Sequence, residues 1–423
     1  MLASLFLSFA ALLLLGLPIA YALLLSAALA LYVAGIDLSI VPQRMFNSLD
    51  SFPLVAVPLF VFAGELMNKA GVSRRLIALA IALVGHFKGG LGHVNVVSSM
   101  LFAGISGSAT ADAAALGKVL IPAMQREKYD LDFAIAITAA SATIGPIIPP
   151  SIIMVVYGSM TNLSIGQLFL AGVVPGFLMG ASFLLLSYLY AIRRNYPSHS
   201  PASWRELRQA FRQAFFPLMA VAIVFGGIVG GVFTPTEAGA VAVAYTLLLS
   251  LAYDRISLRD LYETAFRCAL LTSAILIILG AASSFSWVVA RAQLPGLLGT
   301  AIVEISPNAA VQLLVIILFI LVIGMFLEGM AAMIILIPVL SPMSLSMGMD
   351  PIHFATVVVV GIVIGTITPP MGLLLYVTCG VVEAPLRTVT RIIWVFVAAM
   401  VAVLLLTAYV PAITTFLPTL LAR

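Results

Sequence analysis

The chain has 423 residues, of which 63% are hydrophobic and only 9% charged, with 20 Lys and Arg against 16 Asp and Glu for a formal net charge of +4. Soluble domains carry roughly 25% charged residues, so a water-soluble enzyme or binding module is excluded, and a lipid bilayer is the expected solvent. Cys268 and Cys379 both lie in apolar segments, which gives no disulfide framework.

The four longest runs without Asp, Glu, Lys or Arg are residues 1–36, 133–192, 351–382 and 392–422. Each exceeds the ~20 residues that one membrane span needs. Filled with spans, short connections and broken segments, the chain predicts on the order of a dozen embedded elements, mostly helical. One intertwined membrane domain over residues 1–423 is expected. Residues 1–36 lack a positive leader and outlast a signal core, so they are read as a retained first segment. Wholly helical they would reach ~54 Å. Pro18 interrupts them, leaving one long tilted span or two segments.

Lys69, Arg74, Arg75 and Lys88 then bracket residues 76–84, an apolar stretch too short to span with certainty. Residues 102–117, FAGISGSATADAAALG, pack small residues and hydroxyls between apolar flanks, with Ser106, Gly107 and Ser108 as a hairpin tip. Close helix packing through small residues is the alternative. An ionised Asp112 at membrane depth costs ~2.5 to 3.5 kcal/mol. It requires either a cavity or partner, or a place in a helix's first turn with Thr110 as cap. The approach to a phosphate loop ending at Lys118 fails, because Asp112 stands where the first glycine belongs and Val119 where Ser or Thr should be. No ATP site is expected.

Residues 144–150, IGPIIPP, place two consecutive prolines, Pro149 and Pro150, inside a charge-free run, removing two backbone donors and freeing carbonyls one turn earlier. Broken backbone at membrane depth is tolerated only where protein buries it or it lines a cavity. Freed carbonyls suit a small hard cation, sodium being the natural candidate; simple proline kinks are the bland alternative. The polar stretch at 193–212 carries five Arg, which makes residues 193–216 a basic cytoplasmic linker between halves 1–192 and 217–423. Residues 217–233 and 237–253 should return the chain to the cytoplasm, where Arg255, Arg259 and Arg267 follow. Between them Thr234, Pro235 and Glu237 have the spacing of a capping box, a structural role.

Laid over itself at a shift of 220 residues, the chain repeats. Gly104 falls on Gly324, Asp130 on Asp350, and Ile144, Gly145, Ile147, Pro149 and Pro150 on Ile364, Gly365, Ile367, Pro369 and Pro370. The repeats are placed at about 50–190 and 265–410. Paired Gly/Pro-interrupted segments in duplicated halves point to a secondary transporter's binding site. Glu328 falls opposite Ser108, breaking the symmetry in a way that would tune one of two sites. His86, His93, His199 and His353 have no metal-ligand spacing, and no catalytic motif is visible, so no enzyme is expected.

Together FAGISGSATADAAALG, IGPIIPPS, GGVFTPTEAGAVAV and IGTITPPMG, in this order and spacing, resemble the large membrane subunit of tripartite ATP-independent periplasmic (TRAP) transporters across essentially the whole chain. The resemblance implies an all-α polytopic protein of the bacterial inner membrane, with an inverted internal repeat, re-entrant hairpins and broken helices forming an elevator-type transport domain on a scaffold. It implies import of an organic acid anion with sodium, alongside a small membrane subunit and a periplasmic substrate-binding protein. It implies neither ATP, organic cofactor nor nucleic acid. Carried onto matching positions, one sodium site uses Ser106, Gly145, Ile148 and Pro150, and its counterpart Gly324, Gly365, Thr368 and Met371. Ser106, Ser108 and Asp112 flank the anion. No arginine clamp lies within these motifs, so serine hydroxyls, helix N-termini and bound sodium are left to hold the carboxylate. The runner-up reading is a stand-alone sodium-coupled anion transporter that needs no binding protein.

Overall fold

The structure, a computed structural model, describes residues 1–253 and 256–421. Arg255, one of the expected cytoplasmic cations, and Ala422, the end of the last charge-free run, lie outside them. Among the described residues every regular element is helical. Seven segments there are long and apolar enough to cross a bilayer, which makes this a multi-pass membrane protein.

The first charge-free run forms two helices, α1 (Leu2–Leu14) and α2 (Ile19–Val33), packed on each other. Pro18, which has no N–H to donate, stands at the N-cap of α2 just after Gly16 with φ +82°. The two-segment reading therefore holds. After α3 (Ile40–Leu49) come α4 (Ala56–Lys69) and α5 (Val72–Val84). The short α5 packs between α6 (Gly90–Ser106) and a later helix, α11 (Trp204–Val229). Next are α7 (Ala109–Arg126), α8 (Leu131–Ala142), α9 (Ile152–Thr161) and α10 (Ile165–Arg193).

The basic linker is tied down at its start. The Arg194 guanidinium donates to both carboxylate oxygens of Asp132, at 2.7 and 2.9 Å, and to Asp130 at 3.0 Å. The Tyr196 hydroxyl donates to Asp130 at 2.8 Å, and burial pushes this phenol above its ordinary range. From Trp204 onward the linker is already helix: α11 (Trp204–Val229) starts at a capping box of Ser203 and Glu206 and continues past Pro217. In the next helix, α12 (Pro235–Ala252), the Thr234 hydroxyl accepts from the Glu237 amide at 3.3 Å. The Glu237 carboxylate accepts from the Thr234 amide at 2.8 Å, completing the box.

The second half continues with α13 (Leu258–Arg291), α14 (Leu294–Ile305), α15 (Ala309–Phe326), α16 (Gly329–Ser346), α17 (Pro351–Gly365), α18 (Leu373–Val381), α19 (Thr390–Tyr409) and α20 (Ala412–Leu421). Helix α7 starts at 109 and α16 at 329; they end at 126 and 346, both 220 apart. Helices α8 and α17 start at 131 and 351, again 220 apart. The matched acids at their caps have separate roles. Asp350 accepts from the His353 amide at 2.9 Å, whereas Asp130 is committed to Arg194 and Tyr196.

Packing crosses between the halves. Helix α12, which precedes the second set of matching helices, packs on α4 of the first, while α2 and α3 pack on α13 of the second. Helices α4 and α13 also touch each other, forming a wall that the two tips described next face.

Candidate functional site

The first tip is built by Gly107, whose left-handed φ of +58° turns the chain between α6 and α7. Ser108, with extended backbone, caps α7 by accepting from the Ala111 amide at 3.5 Å. This corrects the cap expected at Thr110. That residue already lies inside the first turn, because Ser108 is the last extended residue before the helix, and its hydroxyl is 3.1 Å from that of Ser108. Asp112 sits in the same first turn, fully buried. One carboxylate oxygen accepts from the Ser106 hydroxyl; the other has no hydrogen-bond partner among the described residues. That second oxygen rests on Gly145, where an added Cβ would collide with it.

Between α8 and α9 the chain leaves the helix, and Pro149–Pro150 is a cis peptide bond. The Ser151 hydroxyl donates to the Pro146 carbonyl at 2.5 Å and accepts from the Met154 amide at 3.3 Å, starting α9. Among the described residues the carbonyls of Gly145, Ile148 and Pro150 accept no backbone hydrogen bond. The tip touches this break: a Cβ on Gly107 would lie 2.7 Å from the Pro150 carbonyl. Ser106, Asp112, Gly145 and Pro150 are therefore neighbours. The Ile148 side chain packs on Gly176 of α10, leaving its backbone oxygen as its only polar contribution.

The second tip follows the same plan with other atoms. Leu327 and Glu328 are extended, and the Glu328 carboxylate caps α16 by accepting from the Ala331 amide at 3.0 Å. Ser108 caps onto Ala111 and Glu328 onto Ala331, positions 220 apart. Glu328 thus keeps the capping role of Ser108 while placing a carboxylate where the first tip has a hydroxyl. Gly324 and Gly365 meet backbone to backbone, a Cβ on Gly324 falling 2.9 Å from Gly365 Cα. The Gly365 carbonyl accepts from the Thr368 amide at 3.0 Å, and the Thr368 hydroxyl donates to the Ile364 carbonyl at 2.7 Å. Thr368 is buried, but Met371, 48% exposed, turns its side chain outward. Gly104, matched to Gly324 by the shift, makes a different contact: it faces Val221 of α11, because α11 covers the first tip from that side.

Both tips open into one cavity of about 530 Å³. Ser106, Ser108 and Thr110 line it from the first tip and Glu328, Gly329 and Met330 from the second. Val61, Glu65 and Asn68 of α4, with Leu271, Ile275 and Ile278 of α13, form the opposite wall. Helix N-termini carry partial positive charge and free N–H groups, which favour an anion. Among the described residues no Lys or Arg lines the cavity. Glu65, Asn68 and Thr366 were not singled out in the sequence. For Glu65 a signal existed, since it is an acid within an apolar run, as Asp112 is.

A family model described as "Tripartite ATP-independent periplasmic transporter, DctM component" matches residues 6–413. The chain is 40% identical over 407 residues to the sialic acid TRAP transporter large permease protein SiaM of Vibrio cholerae, covering 96% of this chain and 95% of that one. It is 34% identical over 427 residues to the C4-dicarboxylate TRAP transporter large permease protein DctM of Rhodobacter capsulatus, with 97% of each covered. Among solved structures, the crystal structure of the YdaH transporter of Alcanivorax borkumensis aligns with a TM-score of 0.58 over 86% of this chain and 87% of that one. At 14% identity this is a likeness of fold alone.

Proposed function

From the premise that the chain belongs to the DctM component family of tripartite ATP-independent periplasmic transporters, we propose that it imports a small organic acid anion with sodium across the bacterial inner membrane. It works with a small membrane subunit and receives the acid from a periplasmic substrate-binding protein. Halves 1–192 and 217–423, joined by the cytoplasmic linker 193–216, contribute inverted repeats at about 50–190 and 265–410. The tips and breaks move as an elevator-type transport domain against a scaffold that includes α4 and α13.

The observation that carries this reading is the pairing at the first tip. A buried carboxylate with one unpartnered oxygen, Asp112, lies beside carbonyls that accept no backbone hydrogen bond, at the N-terminus of a helix opening into the cavity. A sodium ion at Ser106, Gly145, Ile148 and Pro150 would satisfy those oxygens. A second at Gly324, Gly365, Thr368 and Met371 would use backbone and hydroxyl oxygens, and the acid's carboxylate would be flanked by Ser106, Ser108 and Asp112 at the start of α7. Oxygen donors suit hard cations, and a bound cation would offset the missing arginine clamp.

One charge moving inward through 100 mV yields ~2.3 kcal/mol, so two sodium ions with a monoanion are driven by voltage. Proteoliposomes carrying both membrane subunits and the cognate binding protein should take up acid only with an inward sodium gradient, faster at inside-negative potential. Equal uptake with choline replacing sodium would overturn the coupling. Full-rate uptake without the binding protein would indicate a stand-alone transporter instead.

A further inference from the structure

The cavity's second wall has a chemistry of its own. Gly64 of α4 touches the first tip, a Cβ there lying 3.3 Å from both the Ile105 carbonyl and Ser106 Cα. The next residue, Glu65, faces the cavity beside that contact. Among the described residues Glu65 is in no ion pair. Its sequence neighbour Lys69 is engaged with Asp260 at 2.9 Å. The other lining carboxylate, Glu328, is occupied with the amide of Ala331. Asn68, one turn beyond Glu65, faces the same space with its side-chain oxygen bonded to the Ser73 hydroxyl. Next to this tip lies the fully buried Asp112, one carboxyl oxygen of which has no hydrogen-bond partner among the described residues.

We propose that Glu65 is a fixed charge that sets ion occupancy of the cavity: while the tips lie against α4, it strengthens sodium binding and weakens binding of the anion's carboxylate. This rests on the sodium-coupled reading above and deepens it. A unit charge several ångströms away, at an effective dielectric between the protein surface and water, changes an ion's affinity roughly threefold to tenfold. The effect has opposite signs for the two cargoes. At this face the anion therefore leaves first and sodium follows. Because Glu65 belongs to α4 and not to the tips, the effect is confined to the conformation in which tip and wall touch.

The test uses the purified full-length protein and sodium alone, with choline chloride holding ionic strength constant, and reads the thermal unfolding midpoint against sodium concentration. Glu65→Gln should raise the half-saturating sodium concentration at least threefold, and Glu65→Asp should leave it near wild type. Asn68→Asp adds a carboxylate one turn away while retaining an acceptor for Ser73, and should lower it. Superimposable curves across the series overturn the inference. Should Glu65→Gln not fold, Asn68→Asp decides alone, and sodium affinity equal to or weaker than wild type overturns it. A wild type with the same midpoint in sodium and choline would instead sink the sodium reading itself, and this inference with it.

Discussion

At residue 145 the first broken segment is met by a carboxylate, whereas at residue 365 the second is met by bare backbone. Asp112 fills the space over Gly145; the position 220 residues on is Ala332, and Gly324 closes directly onto Gly365. The contrast extends into the surrounding packing. In the α6–α8 contact the Asn95 amide donates to the Thr138 hydroxyl at 2.6 Å, Ser141 donates to Asn95 at 3.0 Å, and Ser99 donates to Ser141 at 2.9 Å. The matching residues of α15 and α17 are Val315, Val358, Phe319 and Gly361. The α6–α8 contact is thus held by buried polar groups, whereas the matching positions of α15 and α17 offer only apolar side chains and backbone. A cation in the first break would meet a formal charge, and one in the second only neutral oxygens. The first should be bound more tightly.

The largest effect expected is at Asp112. Asp112→Asn keeps the volume and removes the charge. Removing one partner of a buried charge pair costs about 3 kcal/mol or more, so sodium-dependent uptake per folded protein should fall roughly 100-fold. Ala332→Asp on that background should not restore it, since the second break is closed by Gly324. Uptake above a tenth of wild type in Asp112→Asn would break the comparison.

A middle-sized effect separates the two glycines. Gly365→Ala drives a methyl into the backbone of Gly324, and overpacking of this kind costs about 1 to 3 kcal/mol, visible as a lowered unfolding midpoint. Gly145→Ala meets a side-chain oxygen that can turn aside, so its midpoint should fall less while the sodium concentration for half-maximal uptake rises. The reverse order of stabilities would show that Asp112 is held as rigidly as backbone.

The smallest effects sharpen the symmetry of the caps. Ser108→Ala and Glu328→Ala should each cost about 1 kcal/mol in thermal or denaturant unfolding. Glu328→Ser should recover most of that loss, because the cap needs an acceptor and not a charge. Thr234→Ala should cost a similar amount while leaving sodium dependence unchanged, since Thr234 is not among the residues lining the cavity.

Features with a local cause were legible in the amino-acid order. Charge-free runs declared the membrane; Pro149 and Pro150, like Pro369 and Pro370, lack the donors a helix needs and so declared the breaks. Thr234 and Glu237, three residues apart, declared their own cap. The correspondence at a shift of 220 residues was legible because it aligned Gly and Pro positions in one register without gaps. Ser106, Gly145 and Pro150, picked for the first sodium site, and Asp112, picked for the anion, come together where the tip packs against the break.

What the tertiary structure decided is which distant surfaces meet. Gly104 and Gly324 match in the shift, yet one faces Val221 of α11 and the other Gly365. Asp112 could be read as a capped first-turn acid or as a cavity group; the fold makes it a buried neighbour of Gly145 reached across a separate helix pair. Glu65 lies in an unbroken helix with no motif around it, and it acquires a place in the site only when α4 and α13 close over the tips. Proline and charge act through their own backbone and solvation, so they can be read in one dimension, whereas a cavity wall is a relation among helices far apart in sequence.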